Sequence, residues 1–118
     1  MKKIHGIMIL FLFSFVACSP AKTQNPAKAE IKSWIEQGAL VVDVRTPEEF
    51  ASGHYPNAKN IPLQELESRI SEFGNKDNKI VLYCRSGRRA SIAKKILEAA
   101  GYKNVVNAGG LYDIQQIK

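Results

Sequence analysis

The apolar positions of this chain change period several times, and each change marks an element. From Ala27 to Gln37 they share one helical face, Ile31, Trp34 and Ile35, with Gly38 as the stop. At that spacing Trp34 reads as a core anchor rather than a binding aromatic. Leu40-Val41-Val42-Asp43-Val44 is a continuous apolar run broken by one carboxylate, the pattern of a buried strand. Thr46-Pro47-Glu48-Glu49 predicts a short helix: Thr46 caps it, Pro47 fits its first turn, Glu49 completes a capping box, and Gly53 ends it. Asn60-Ile61-Pro62 reads as a brief strand, after which Leu63, Leu66, Ile70 and Phe73 recur at helical spacing up to Gly74.

Lys79 to Tyr83 is the second clear buried strand, and it runs straight into Cys84-Arg85-Ser86-Gly87-Arg88-Arg89. A helix is predicted from Ala90 to Ala100, with Ile92, Ala93, Ile96 and Leu97 facing inward and Gly101 as the cap. Val105-Val106 forms a short final strand, followed by Gly109-Gly110 and a terminal helix from Leu111 to Ile117. Strands alternating with helices at this spacing predict an α/β fold with a mainly parallel central sheet flanked by helices. A length of 118 residues suits one domain, placed at residues 27–118.

The first 18 residues stand apart. Lys2 and Lys3 form a basic start, and Ile7 to Ala17 form an almost purely apolar run that ends in small residues and Cys18. A membrane-spanning helix needs roughly 20 apolar residues, so this shorter run reads as a bacterial export signal. Phe15-Val16-Ala17-Cys18 resembles a lipobox, which predicts cleavage before Cys18, lipidation of its thiol and an envelope lipoprotein in the periplasm. Ser19-Pro20-Ala21 offers the alternative of ordinary cleavage before Lys22 and a soluble periplasmic protein. Residues 19–26 are short, polar and Pro-bearing, as a tether would be.

The formal net charge is +6, and without Lys2 and Lys3 there remain 15 basic residues against 11 acidic ones. No basic run is interleaved with aromatics, so no nucleic-acid partner is expected, and the charge reads as solubility plus an anion-binding spot. Two cysteines, Cys18 and Cys84, leave one thiol in the mature domain, too few for a disulfide framework. With His54 as the one mature histidine, neither a metal site nor a cofactor is expected.

The chemistry gathers where strands meet loops. In open parallel sheets ligands bind at the carboxyl ends of strands. Asp43, Val44 and Arg45 lie at one such end and Cys84 at another. The Cys84–Arg89 segment is a tight strand-to-helix loop with Gly87 in its middle, so its N–H groups and the helix start can converge as an anion cradle. A thiol placed there sees the amides, the helix dipole and Arg85, Arg88 and Arg89, surroundings that favour a thiolate nucleophile. Cysteine phosphatases and arsenate reductases share the strand-Cys-loop-helix plan. They require an Arg at the sixth position after the Cys, where this chain has Ala90, with Arg89 one place early. The shorter loop suits a sulfur atom better than a phosphate.

Four ordered motifs then make the resemblance specific. Val42 to Phe50 with Gly53-His54-Tyr55-Pro56-Asn57-Ala58-Lys59-Asn60-Ile61-Pro62, the CRSGRR loop, and Asn107-Ala108-Gly109-Gly110-Leu111 resemble the rhodanese family from Leu40 onward. The resemblance implies a small single-domain rhodanese-like fold and a thiosulfate sulfurtransferase. In it Cys84 takes a sulfane sulfur from a thiosulfate-like anion or a persulfide and hands it to cyanide or a thiol. The loop residues Arg85, Ser86, Gly87, Arg88 and Arg89 are expected to hold the donor, Arg88 and Arg85 foremost, with Glu48 or Glu49 as another partner for Arg89. Asp43 is expected to orient the loop by accepting N–H bonds, Arg45 to serve in a structural ion pair, and His54 to lock a turn. A catalytically silent rhodanese module used for binding is the remaining alternative, disfavoured by the presence of Cys84. Departures from the family pattern are Asn57 for a Gly, Tyr55 for an aliphatic residue, Leu111 for an aromatic one, and no strand between Thr23 and Glu30. They predict an abbreviated sheet and an altered pocket wall.

Overall fold

The computed structural model describes residues 26–117. The expected export signal, Cys18 and all of the 19–26 tether but its last residue lie outside the described residues. The described chain runs α1 (Pro26–Glu36), β1 (Leu40–Asp43), α2 (Pro47–Ala51), β2 (Lys59–Asn60), two 3₁₀ segments (Leu63–Glu65 and Glu67–Phe73), β3 (Lys79–Cys84), α3 (Arg88–Ala99), β4 (Asn104–Gly110) and α4 (Leu111–Gln115). All three strand pairings are parallel, in the order β2-β1-β3-β4.

Side chains alternate across a strand, so each strand feeds two cores. Val42, Val44, Ile80 and Leu82 face α3 and the 3₁₀ segments, where Leu66, Phe73, Ala93 and Leu97 are fully buried. Val41, Val81 and Tyr83 face α1 and α4, where they meet Ile31 and Ile114, with Trp34 and Ile35 packed alongside. Both faces are covered, which is why the strands read as unbroken apolar runs.

Three differences from the sequence expectation have physical causes. The Leu63–Phe73 stretch forms 3₁₀ turns broken at Arg69 (φ −114°) instead of one helix, yet its apolar stripe still packs inward. The hydrogen bonds from Leu63 N–H to Val44 O and from Tyr102 O–H to Ile70 O and Gly74 O tether this connection at both ends to separate elements. Ile92, expected in the core, is 44% exposed, because the buried stripe of α3 runs through Ala90, Ala93 and Leu97. β4 extends to Gly110 instead of stopping near Val106, with Gly110 opposite Cys84.

Candidate active site

Cys84 ends β3 and is fully buried. By parity it follows Ile80 and Leu82 onto the α3 face. The chain then turns through Arg85, Ser86 and Gly87 and enters α3 at Arg88. Gly87 makes the turn at φ 95°, and its N–H donates to Cys84 Sγ at 3.0 Å. Glycine adopts that backbone at no steric cost, whereas a side chain there would also press to 3.2 Å from Gly109 Cα. The sulfur therefore sits at the N-terminus of a 12-residue helix, whose free N–H groups and macrodipole favour negative charge.

The arginines divide. Arg85 and Arg88 are exposed, and among the described residues neither has an ion-pair or hydrogen-bond partner. Arg89, expected either on the donor or on the acidic turn, forms a two-pronged pair with Glu49 at 2.6 and 2.9 Å. Those hydrogen bonds pull the Glu49 carboxyl down to about 2 and raise the Arg89 guanidinium above its ordinary value. The charges of Glu49 and Asp43 add to the Arg89 shift. Glu49 closes the capping box of α2 as well, accepting from Thr46 N–H while its own N–H donates to Thr46 Oγ1.

Asp43 takes a different place from the one expected. It accepts from Arg45 N–H at 2.8 Å and from Arg45 Nε and Nη2 at 3.0 and 2.6 Å, not from the Cys84 loop. The reason is parity: Asp43 pairs with Tyr83 in register and shares its face, while Cys84 points to the other side. Arg45 is the structural ion-pair partner, only 6% exposed, and also donates to Gly53 O at 2.6 Å. Burial pushes the Tyr83 phenol up, and its oxygen accepts from Tyr55 N–H at 3.0 Å. His54 Nδ1 lies 3.0 Å from Phe50 O, which can only accept, and the two rings stack at 3.8 Å; this histidine locks the end of α2. Asn57 occupies left-handed backbone (φ 65°), a region Asn tolerates better than most residues, which accounts for its standing where the family has Gly.

β4 supplies a support that the sequence reading left out of the site. Asn107 Nδ2 donates to Gly87 O at 2.8 Å, and Gly109 N–H donates to Asn107 Oδ1 at 2.8 Å. A Cβ on Gly110 would stand 2.1 Å from Arg85 O, so only glycine lets β4 close against the loop. Asp113 Oδ2 accepts from Gly110 N–H at 2.8 Å and secures the same crossing. The Gly109-Gly110 pair was the available signal, but its partner loop is visible only in the fold. Among the described residues no group of His, Cys, Asp and Glu is arranged to hold a metal.

The rhodanese-like domain family matches residues 27–116. The thiosulfate sulfurtransferase PspE of Escherichia coli is 44% identical over 78 residues, covering 65% of this chain and 75% of that protein. A sulfurtransferase of Allochromatium vinosum is 42% identical over 74 residues, covering 63% and 68%. Among solved structures, a rhodanese with anions from E. coli superposes with a TM-score of 0.62 at 42% identity, covering 65% of this chain and 92% of that one. The human single-domain sulfurtransferase TSTD1 gives 0.66 at 31% identity, covering 74% and 89%. A match running from α1 through α4, with relatives of 44% and 42% identity inside it, makes this chain a member of the rhodanese-like domain family.

Proposed function

We propose that the chain is a sulfurtransferase that carries sulfane sulfur on Cys84. The observation that supports this best is the buried sulfur at the head of α3, held by the Gly87 N–H and flanked by Arg85 and Arg88, whose side chains have no partner among the described residues. The Cys84 thiolate attacks the outer sulfur of thiosulfate, the S–S bond breaks, and sulfite leaves with the electron pair. Cys84 is then a persulfide. Cyanide or a thiol attacks its terminal sulfur, giving thiocyanate or a new persulfide and returning the electron pair to Cys84. The sulfonate oxygens of the donor need cations, and the exposed loop side chains Arg88 and Arg85, without partners among the described residues, are the candidates to supply them.

Intact-mass spectrometry tests this reading. Thiosulfate should add one sulfur atom, cyanide should remove it as thiocyanate, and Cys84→Ala should take up none. Hydrolysis of a phosphate ester by Cys84 without sulfur uptake would overturn it in favour of phosphatase chemistry. The Lys2-to-Cys18 leader supports placing this activity in the periplasm on a lipid anchor. Fractionation checks that: wild type should follow the membranes, and a soluble form starting at Lys22 would show ordinary cleavage instead.

A further inference from the structure

We propose that Asn107 is a positioning residue for sulfur transfer, clamping Gly87 so that its N–H stays on the Cys84 sulfur. The clamp itself rests on hydrogen-bond geometry, and its catalytic consequence rests on the sulfurtransferase reading above. Asn107 sits in β4 directly across from Leu82, two residues before Cys84. Asn is depleted in strands, so its presence within a parallel strand calls for a local reason. Its side chain leaves the ladder and bridges Gly87 O and Gly109 N–H, each at 2.8 Å. A carbonyl can only accept and an N–H can only donate, so the two ends together fix which way the amide points.

Gly87 needs such a clamp. Without a Cβ it has the widest backbone freedom of any residue, and only part of that range directs its N–H at the sulfur. Its carbonyl takes two donors, Asn107 Nδ2 and the Ser91 N–H that opens α3 at 2.9 Å. Together they pin the peptide after Gly87, while the approach of Gly109 limits the movement of its Cα. The N–H then meets Sγ at 3.0 Å before any substrate arrives. When an acceptor removes the outer sulfur, the S–S bond breaks and its electron pair returns to Sγ. A donor already aimed at that atom stabilises the returning charge without reorganising. Asn107 therefore acts on turnover through Gly87 and leaves donor binding to the arginines.

Two variants of the full chain test this. Asn107→Ala removes both bonds. Asn107→Asp keeps an oxygen for Gly109 N–H and turns the donor to Gly87 O into a carboxylate oxygen that repels that carbonyl. In both, kcat should fall about tenfold, the loss of one preorganised hydrogen bond, while KM for thiosulfate stays within about twofold. Amide hydrogen exchange at Gly87, followed by NMR, should quicken by about tenfold in both. Wild-type kcat and wild-type Gly87 exchange in folded Asn107→Asp overturn the proposal. A lowered kcat with unchanged Gly87 exchange overturns it as well, because Asn107 would then act by another route. If Asn107→Ala does not fold, Asn107→Asp decides. If the wild type takes no sulfur from thiosulfate, the sulfurtransferase reading fails, while Gly87 exchange still decides the clamp.

Discussion

The carboxyl ends of β1 and β3 are neighbours in one sheet, both rich in charge, and they are built on opposite plans. At β1, Asp43 and Arg45 are buried and satisfied by each other, by Gly53 O and by the backbone. At β3, a buried thiol accepts one backbone N–H while Arg85 and Arg88 stand exposed with no partner among the described residues. The first arrangement spends its charge inside the protein and has none left for a ligand. The second leaves two exposed cations beside a buried thiol. Charge at a strand end is therefore not by itself a mark of a ligand site. What separates the two ends is whether the charge is already answered.

That contrast can be broken from either side. Cys84→Ser should abolish sulfur transfer to background while the protein stays folded, since the only thiol among the described residues is gone and a hydroxyl cannot carry the sulfane sulfur; appreciable residual thiocyanate production would refute the assignment. At the other end, Arg45→Leu leaves the Asp43 carboxylate buried without its cation, with the backbone N–H of residue 45 still donating to it. It should cost about 3–5 kcal/mol of stability in a denaturant titration, and a loss under about 1 kcal/mol would mean that water reaches Asp43.

Smaller changes sharpen it. Arg88→Ala should lower kcat/KM for thiosulfate by about 1.5–3 kcal/mol, roughly 10- to 150-fold, as one charged hydrogen-bond set is lost. Its stability should change by less than about 0.5 kcal/mol, because the side chain is exposed and has no partner among the described residues. Arg88→Lys should recover only part of the rate, since a point charge replaces a fork. If Arg85→Ala loses the rate and Arg88→Ala keeps it, the two arginines exchange roles.

The smallest effect belongs to the Arg89–Glu49 pair, which joins the two regions. Glu49 is held at about 2 against an ordinary 4.5, chiefly by the hydrogen bonds from Arg89. A carboxyl lowered in the folded state adds stability above its ordinary value and loses it as pH falls from 4.5 towards about 2. The pair is about 30% exposed on each side, so solvent screening keeps its worth under about 1 kcal/mol. Glu49→Gln should therefore be slightly less stable than wild type at neutral pH, and the gap should close as both are titrated towards pH 2. A gap that stays constant would show that the charge is not its source.

The order of strands and helices was legible along the chain, apart from the Leu63–Phe73 stretch and the far end of β4. Hydrophobic period distinguishes strand from helix because burial demands it, and Thr46-Pro47-Glu48-Glu49 spells out its own cap, which the structure shows atom for atom. Such features depend on neighbours a few residues apart. Others depend on which face a residue meets and on what stands there, and no local pattern carries that. Asp43 was expected at the Cys84 loop, but one step of strand register sends the two side chains to opposite faces. Ile92 has helical spacing for the core, yet the sheet meets α3 along Ala90, Ala93 and Leu97. Asn107 lies twenty positions from Gly87 and Gly110 twenty-five from Arg85, the loop residues they brace, and only the parallel pairing of β3 with β4 brings them there. Local backbone and burial preferences thus determined what the parts are, and long-range register decided which of them brace the Cys84 loop and which stand apart from it.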